Sequence, residues 1–146
     1  MDVGEALEHV HLFSGVEAAD LAALADIAEP VFFANGEMVF DGARPAEALI
    51  LLVLGTVDLT NEAKEIVLAT VGSGQMLGQV AFFIRGPRKV SAVAHEPTRA
   101  LRIPFEKLDA LLAAQPGLAA TFYRNLAAEF AHHLTKLAAD REYRYL

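Results

Sequence analysis

Between Val31 and Ile103 the chain is cut into seven short apolar runs: VFFA, EMVF, EALILLVL, TVDLT, EIVLATV, KVSAVA and RALRI. Gly36, Gly42, Gly55, Gly72, Gly74, Pro45 and the polar stretch NEAKE separate them. Runs this short, rich in Val, Leu, Ile and Phe and closed by turn residues, read as β-strands. Strands at such spacing build a barrel or a sandwich. No helical segments alternate with them, so a doubly wound parallel sheet is not expected.

The period changes on both sides of this zone. From residue 4 to 28, Leu7, Val10, Leu21, Leu24 and Ile27 recur at three- and four-residue steps, broken by FSGV, as in short helices. From Phe105 the pattern is helical again: FEKLDALLAA, a break at Gln115-Pro116, and a second segment running to Leu146. Pro116 suits the first turn of that segment, where a missing N–H costs nothing. Residues 1–146 therefore read as one domain, with N-terminal helices over 1–30, a β zone over 31–103 and C-terminal helices over 104–146.

The last segment carries two apolar stripes. Leu118, Phe122 and Leu126 form one. Tyr123, Ala127, Phe130, Leu134 and Leu137 form the other, with the four-three spacing of a coiled-coil seam. A helix continuous from Pro116 to Tyr145 is about 45 Å long at ~1.5 Å per residue, more than a small barrel needs as a cover. The first stripe is expected to pack on its own domain and the second to make a homodimer. A single amphipathic helix lying on its own barrel is the other reading.

Composition excludes several classes. No apolar run nears the ~20 residues of a membrane span, and LILLVL fits a buried strand. The opening MDVGEALEHV has no basic cluster, so neither a secretory leader nor a membrane partner is expected. With no cysteine there is no disulfide or thiolate site, as suits a cytoplasmic protein. A net charge of −7 argues against a nucleic-acid surface. His9 and His11, and the pair His132 and His133, have no carboxylate at a ligand spacing, so no metal site is expected. The β zone holds only His95, no serine sits in a nucleophile elbow, and GSGQMLG has its third glycine one residue late for a dinucleotide fingerprint and reads as a turn. No catalytic constellation appears, and the chain is not expected to be an enzyme.

One stretch does carry chemistry: GQVAFFIRGPRKVSAVA, Gly78 to Ala94. QVAFFI after a glycine can form one helical turn whose free N–H groups face an anion, and Arg88 can reach the same anion bidentately. Leu68, Leu77, Val80, Val90 and Ala92 are apolar and can wall a ring beside it. An ordinary exposed loop is the competing reading, and the residues alone leave both open.

This stretch resembles the phosphate-binding cassette of the cyclic-nucleotide-binding domain family, which includes the bacterial catabolite activator and the regulatory subunits of cyclic-nucleotide-dependent kinases. The similarity runs upstream through HLFSGV, NGEMVFDGARPAEALILLVLGTVDL and VGSGQMLG, and so spans nearly the whole chain. It implies a mainly β (α+β) fold: an antiparallel jelly-roll β-barrel with N-terminal helices and a long C-terminal helix, the cassette lying over residues 78–92. It also implies a ligand, cyclic AMP (cAMP) or cyclic GMP (cGMP), and no other cofactor. Arg88 matches the arginine that pairs with the cyclic phosphate, and Gly78 and the amides of Val80, Ala81 and Val90 match the turn that cradles phosphate and ribose. Gln79 stands where the family has the glutamate that accepts the ribose 2′-hydroxyl, Lys89 where it has a small or hydroxyl residue, and Val90 where alanine is usual. Gln79→Glu is thus expected to restore a charged contact. By residue count, His133 to Lys136 come nearest the purine, with Thr135 as the hydrogen-bonding group. Family transcription factors continue into a DNA-binding helix-turn-helix domain, whereas all 30 residues after Pro116 are assigned to the helix here, so a stand-alone sensor is expected. The alternative is a degenerate domain that dimerises or docks an unidentified protein partner without a nucleotide.

Overall fold

The computed structural model describes residues 2–86 and 89–141, the side chains of 140 and 141 excepted. The chain opens with α1 (Val3–Glu8), a 3₁₀ turn (His11–Phe13) and α2 (Ala18–Ile27). Strands β1 (Glu29–Phe33), β2 (Met38–Phe40), β3 (Ala48–Leu54), β4 (Val57–Asn61), β5 (Val67–Val71) and β6 (Met76–Leu77) follow. After a short helix α3 (Gln79–Phe83) come β7 (Val90–Ala94), β8 (Thr98–Pro104), α4 (Phe105–Ala114) and α5 (Pro116–Arg141). The strands form two four-stranded antiparallel sheets in the orders β1-β8-β3-β6 and β2-β7-β4-β5. This is the expected jelly roll with helices at both ends.

The run ALILLVL explains how the layers stack. Successive strand side chains point to opposite faces, and in β3 both faces are covered. Ile50 and Leu52 enter the space between the sheets with Val57, Leu77, Ala92 and Ala100. Leu49 and Leu51 point the other way, into a second cluster with Leu24, Leu108, Phe122 and Leu126 of the helices. β8 divides likewise, Ala100 inward between the sheets and Leu101 and Ile103 toward the helices. The first sheet is thus sandwiched, with the second sheet on one side and helices on the other.

β6 departs from the sequence reading, in which GSGQMLG is a turn throughout. The turn is there, with the Gly72 N–H donating to Gln75 Oε1 at 2.6 Å. Met76 and Leu77 then pair with Leu51 and Ile50 of β3. Two residues carry no readable period, and their pairing is dictated by the long-range edge that β3 offers.

In α5, Leu118, Phe122 and Leu126 are fully buried, as the first stripe requires. Asn125 on the same helix donates from Nδ2 to the carbonyls of Leu12 and Ser14 at 2.9 and 2.8 Å, tying α5 to the N-terminal segment. Of the second stripe, Tyr123, Leu134 and Leu137 are exposed, although the Tyr123 ring also lies 5.7 Å from that of Phe83 in its own chain. Phe130 is half-buried, with its ring 6.0 Å from that of Phe83. The expected end of the helix beyond residue 141 lies outside the described residues.

Phe122→Ala should cost about 3–5 kcal/mol, as for other large-to-small changes at sealed core positions. Arg124→Ala, at an exposed position of the same helix outside both stripes, should stay within about 0.5 kcal/mol. Urea denaturation followed by circular dichroism measures both.

Candidate ligand-binding site

The site is built from the end of β6 onward. Gly78 has φ 99°, a left-handed backbone that glycine adopts without a Cβ penalty, and the chain turns there from strand into α3. α3 is barely more than one turn, closed by Phe82 N–H to Gly78 C=O at 3.0 Å and Ile84 N–H to Val80 C=O at 2.9 Å. Ala81 and Phe82 face inward, whereas Val80 and Phe83 are at least half exposed.

Phe82 anchors this turn. Its ring meets Phe105 of α4 and Phe122 of α5 edge-on, with centroids 5.3 and 5.7 Å away. The guanidinium of Arg85 lies over Phe82 and Phe105 at 4.8 and 4.6 Å and pairs with Asp109 at 2.9 Å. An arginine over aromatic faces adds a cation–π attraction to the ring packing. Phe83, next in sequence, lies outside, its ring 5.7 Å from Tyr123 and 6.0 Å from Phe130 of α5.

The opposite wall is fixed by Gly42. Its N–H donates to the fully buried Ser91 Oγ at 2.9 Å, and its carbonyl accepts the Lys89 N–H at 2.8 Å. A Cβ on residue 42 would lie 2.8 Å from the Val90 backbone, so only glycine permits this approach. Lys89 is held at φ 62°, left-handed and costly for a residue with a side chain. Upstream, the Gly86 carbonyl accepts the Ala46 N–H at 3.3 Å. Pro87 and Arg88, between these tied ends, lie outside the described residues.

A cleft of about 430 Å³ opens between these walls, within the ~300–1,000 Å³ of small-molecule sites. Leu77, Gly78, Gln79, Val80, Ala81, Lys89 and Val90 line it, together with Phe40, Leu59 and Ile84. Seven residues singled out in the sequence therefore meet at one place. An adjoining cleft of about 530 Å³ lies against α5. It shares Leu59, Leu77, Gln79 and Val80 with the first and adds Gln75, Glu129, Phe130 and His133, among others.

Three expected wall or contact residues are elsewhere. Leu68 is exposed, on edge strand β5, where the register skips it: Leu59 faces Ala69 and Thr60 faces Val67. Leu68 thus occupies a bulge, and Phe40 and Leu59 supply the apolar wall instead. Ala92 is sealed between the sheets. Thr135 lines neither cleft, and its exposed hydroxyl donates back to the Ala131 carbonyl at 2.9 Å. At ~3.6 residues per turn, two positions turn the helix about 200°, so His133 facing the barrel puts Thr135 on the far side.

Glu129 is the residue that sequence reasoning missed. Its Oε1 accepts from Gln79 Nε2 at 2.8 Å, joining α5 to α3 across 50 positions. The available signal was its place four residues before His133, hence on the same helical face.

The protein is thus a double-sheet jelly roll interrupted by one short helix, and that helix lines the cleft. The cyclic nucleotide-binding domain model matches residues 30–115, and the chain belongs to that family. It is 31% identical over 126 residues to the CRP-like cAMP-activated global transcriptional regulator of Mycobacterium tuberculosis, covering 84% of this chain and 56% of that protein. The chain thus spans about half the length of this curated relative. Among solved structures it resembles the Thermus thermophilus catabolite activator protein, with a TM-score of 0.76, 27% identity, and 90% and 62% of the two chains covered. A cyclic nucleotide-binding domain from Methylobacillus flagellatus shares the fold, with a TM-score of 0.79 at 20% identity, over 95% of this chain and 80% of the other. Among the described residues, no helix is long and apolar enough to cross a membrane.

Gly42→Ala should destabilise the protein by about 1–3 kcal/mol, because the added methyl meets backbone that cannot step aside. Chemical denaturation reads the loss.

Proposed function

We propose that this protein is a regulatory module, not an enzyme, that senses a cyclic nucleotide in the cleft between α3 and β7 and signals through α5. The observation that carries this reading is the convergence of Gly78, Gln79, Val80 and Ala81 with Lys89 and Val90 on one cleft. α3 presents the N–H groups of its first turn, which no helix satisfies internally, and Arg88 supplies the guanidinium for the cyclic phosphate. The ligand is cAMP or cGMP. The apolar walls, Phe40, Leu59 and Leu77, accept the base.

Transmission follows from how α3 is held. Its two adjacent rings both touch α5, Phe82 from inside through Phe122 and Phe83 from outside through Tyr123 and Phe130. A ligand that shifts α3 therefore works directly on α5, and its unequal contacts with the two helix positions bias one over the other. The exposed remainder of the α5 stripe, Tyr123, Leu134 and Leu137, pairs with a second copy and makes the two-fold dimer commonest among homo-oligomers. The M. tuberculosis relative, by its name cAMP-activated and a transcriptional regulator, supports a role in which this module governs an attached or associated effector. A second reading, a dimerising or docking domain without nucleotide, is favoured by one observation: the Gln79 amide already has a partner in Glu129.

Titration calorimetry with cAMP and cGMP separates the two readings. Binding of either supports the sensor, and that ligand at 100 times its Kd should add about 2.7 kcal/mol of stability. Arg88→Ala should abolish the stabilisation while the unliganded melting temperature is retained, and an unchanged affinity would remove Arg88 from the site.

Leu134→Glu should convert the dimer to a monomer in sedimentation velocity, because it sets a charge in an apolar seam. Phe130→Glu is a less clean probe, since it also breaks the contact with Phe83. A monomeric parent protein would end the dimer proposal.

A further inference from the structure

We infer that Glu129 is a positioning residue for the ligand site: it fixes which end of the Gln79 amide faces the ligand, so that the sugar hydroxyl is read correctly only while α5 is docked. This rests on the reading of the cleft as a nucleotide site.

Glutamine carries a carbonyl acceptor at one end and an NH₂ donor at the other, and a half turn of the side chain exchanges them. A lone glutamine is therefore a poor reader of a hydroxyl, because it offers either end. An ionised carboxylate only accepts. The Glu129 carboxylate at 2.8 Å thus commits the Nε2 end of Gln79 to α5 and leaves Oε1 as the free acceptor. Donating to a charged acceptor also polarises the amide and strengthens its carbonyl as an acceptor. Gln79 lines both clefts, whereas Glu129 lines only the one against α5. The negative charge of the site accordingly belongs to the helix, and the amide relays it to the cassette.

This arrangement reverses the expectation drawn from sequence for Gln79→Glu. Alone, that change sets a second carboxylate against Glu129, and neighbouring like charges disfavour each other. Combined with Glu129→Gln, it instead restores the same hydrogen bond with its direction inverted, the donor now on α5 and the carboxylate on α3.

The test is calorimetric titration of the parent, Glu129→Ala, Gln79→Glu and the Gln79→Glu/Glu129→Gln double variant. Each is titrated with cAMP, cGMP and their 2′-deoxy counterparts. Glu129→Ala should weaken the ribose ligand about five- to tenfold, the equivalent of one hydrogen bond. It should change the 2′-deoxy ligand by less than about twofold. Gln79→Glu should bind the ribose ligand more weakly than the parent, and the double variant at least as tightly as the parent. Equal losses for both sugars in Glu129→Ala, a gain in affinity in that variant, or tighter binding by Gln79→Glu alone would each overturn the inference. Melting of the unliganded proteins shows whether Glu129→Ala folds, and Glu129→Gln replaces it if it does not, with the same loss expected because a second amide no longer dictates the flip. A parent that binds none of the four ligands overturns the nucleotide reading itself, a result distinct from any pattern among the variants.

Discussion

Strand β3 is buried on both faces, and the architecture follows from that. Each fully buried Leu or Ile contributes about 1.5–3 kcal/mol relative to exposure, and β3 carries five consecutive buried residues, Ala48 to Leu52. A strand with one solvated face would need only a second sheet. This one needs a second sheet for Ile50 and Leu52 and a helical layer for Leu49 and Leu51. The helices are therefore not appendages to a barrel that is complete without them. Because β6 pairs with β3 and runs straight into Gly78, the candidate cleft begins at the edge of the most deeply buried strand.

The helix that lines the cleft depends on the same layering. α3 is too short to be stable by itself, since isolated helices of fewer than about a dozen residues are marginal in water. What holds it is Phe82 in the helical core, Gly78 at its start and Gln79 against Glu129. Two of these three attachments reach α5. An element secured mainly by its neighbour cannot rearrange independently of that neighbour, and this is the contact on which the proposed signalling through α5 rests.

Much of this was legible in the sequence. Strand periodicity marks every strand but β6, and the inward stripe of α5 follows from Leu118, Phe122 and Leu126 at four-residue steps. The cassette was visible because its glycine and apolar residues are adjacent along the chain. What could not be seen depends on long-range register. Leu68 reads as a wall residue until the β4–β5 bulge removes it from the ladder, and Thr135 reads as a contact until the rotation of α5 is fixed by Asn125. Glu129 is not legible in an apolar seam, because it is acidic, and its half-buried contact with Gln79 joins positions 50 residues apart.

The bulge at Leu68 has a consequence of another kind. β5 ends the second sheet, and Ile66 just before it and Val67 and Leu68 within it are exposed. A straight, oily border strand is a template on which a foreign strand can add and start aggregation. Skipping Leu68 from the ladder breaks the regular sequence of amide donors and acceptors along that border and twists it locally. The irregularity that removes Leu68 from the cleft wall thus also interrupts the barrel's open margin, where an unbroken apolar edge would favour the addition of a strand.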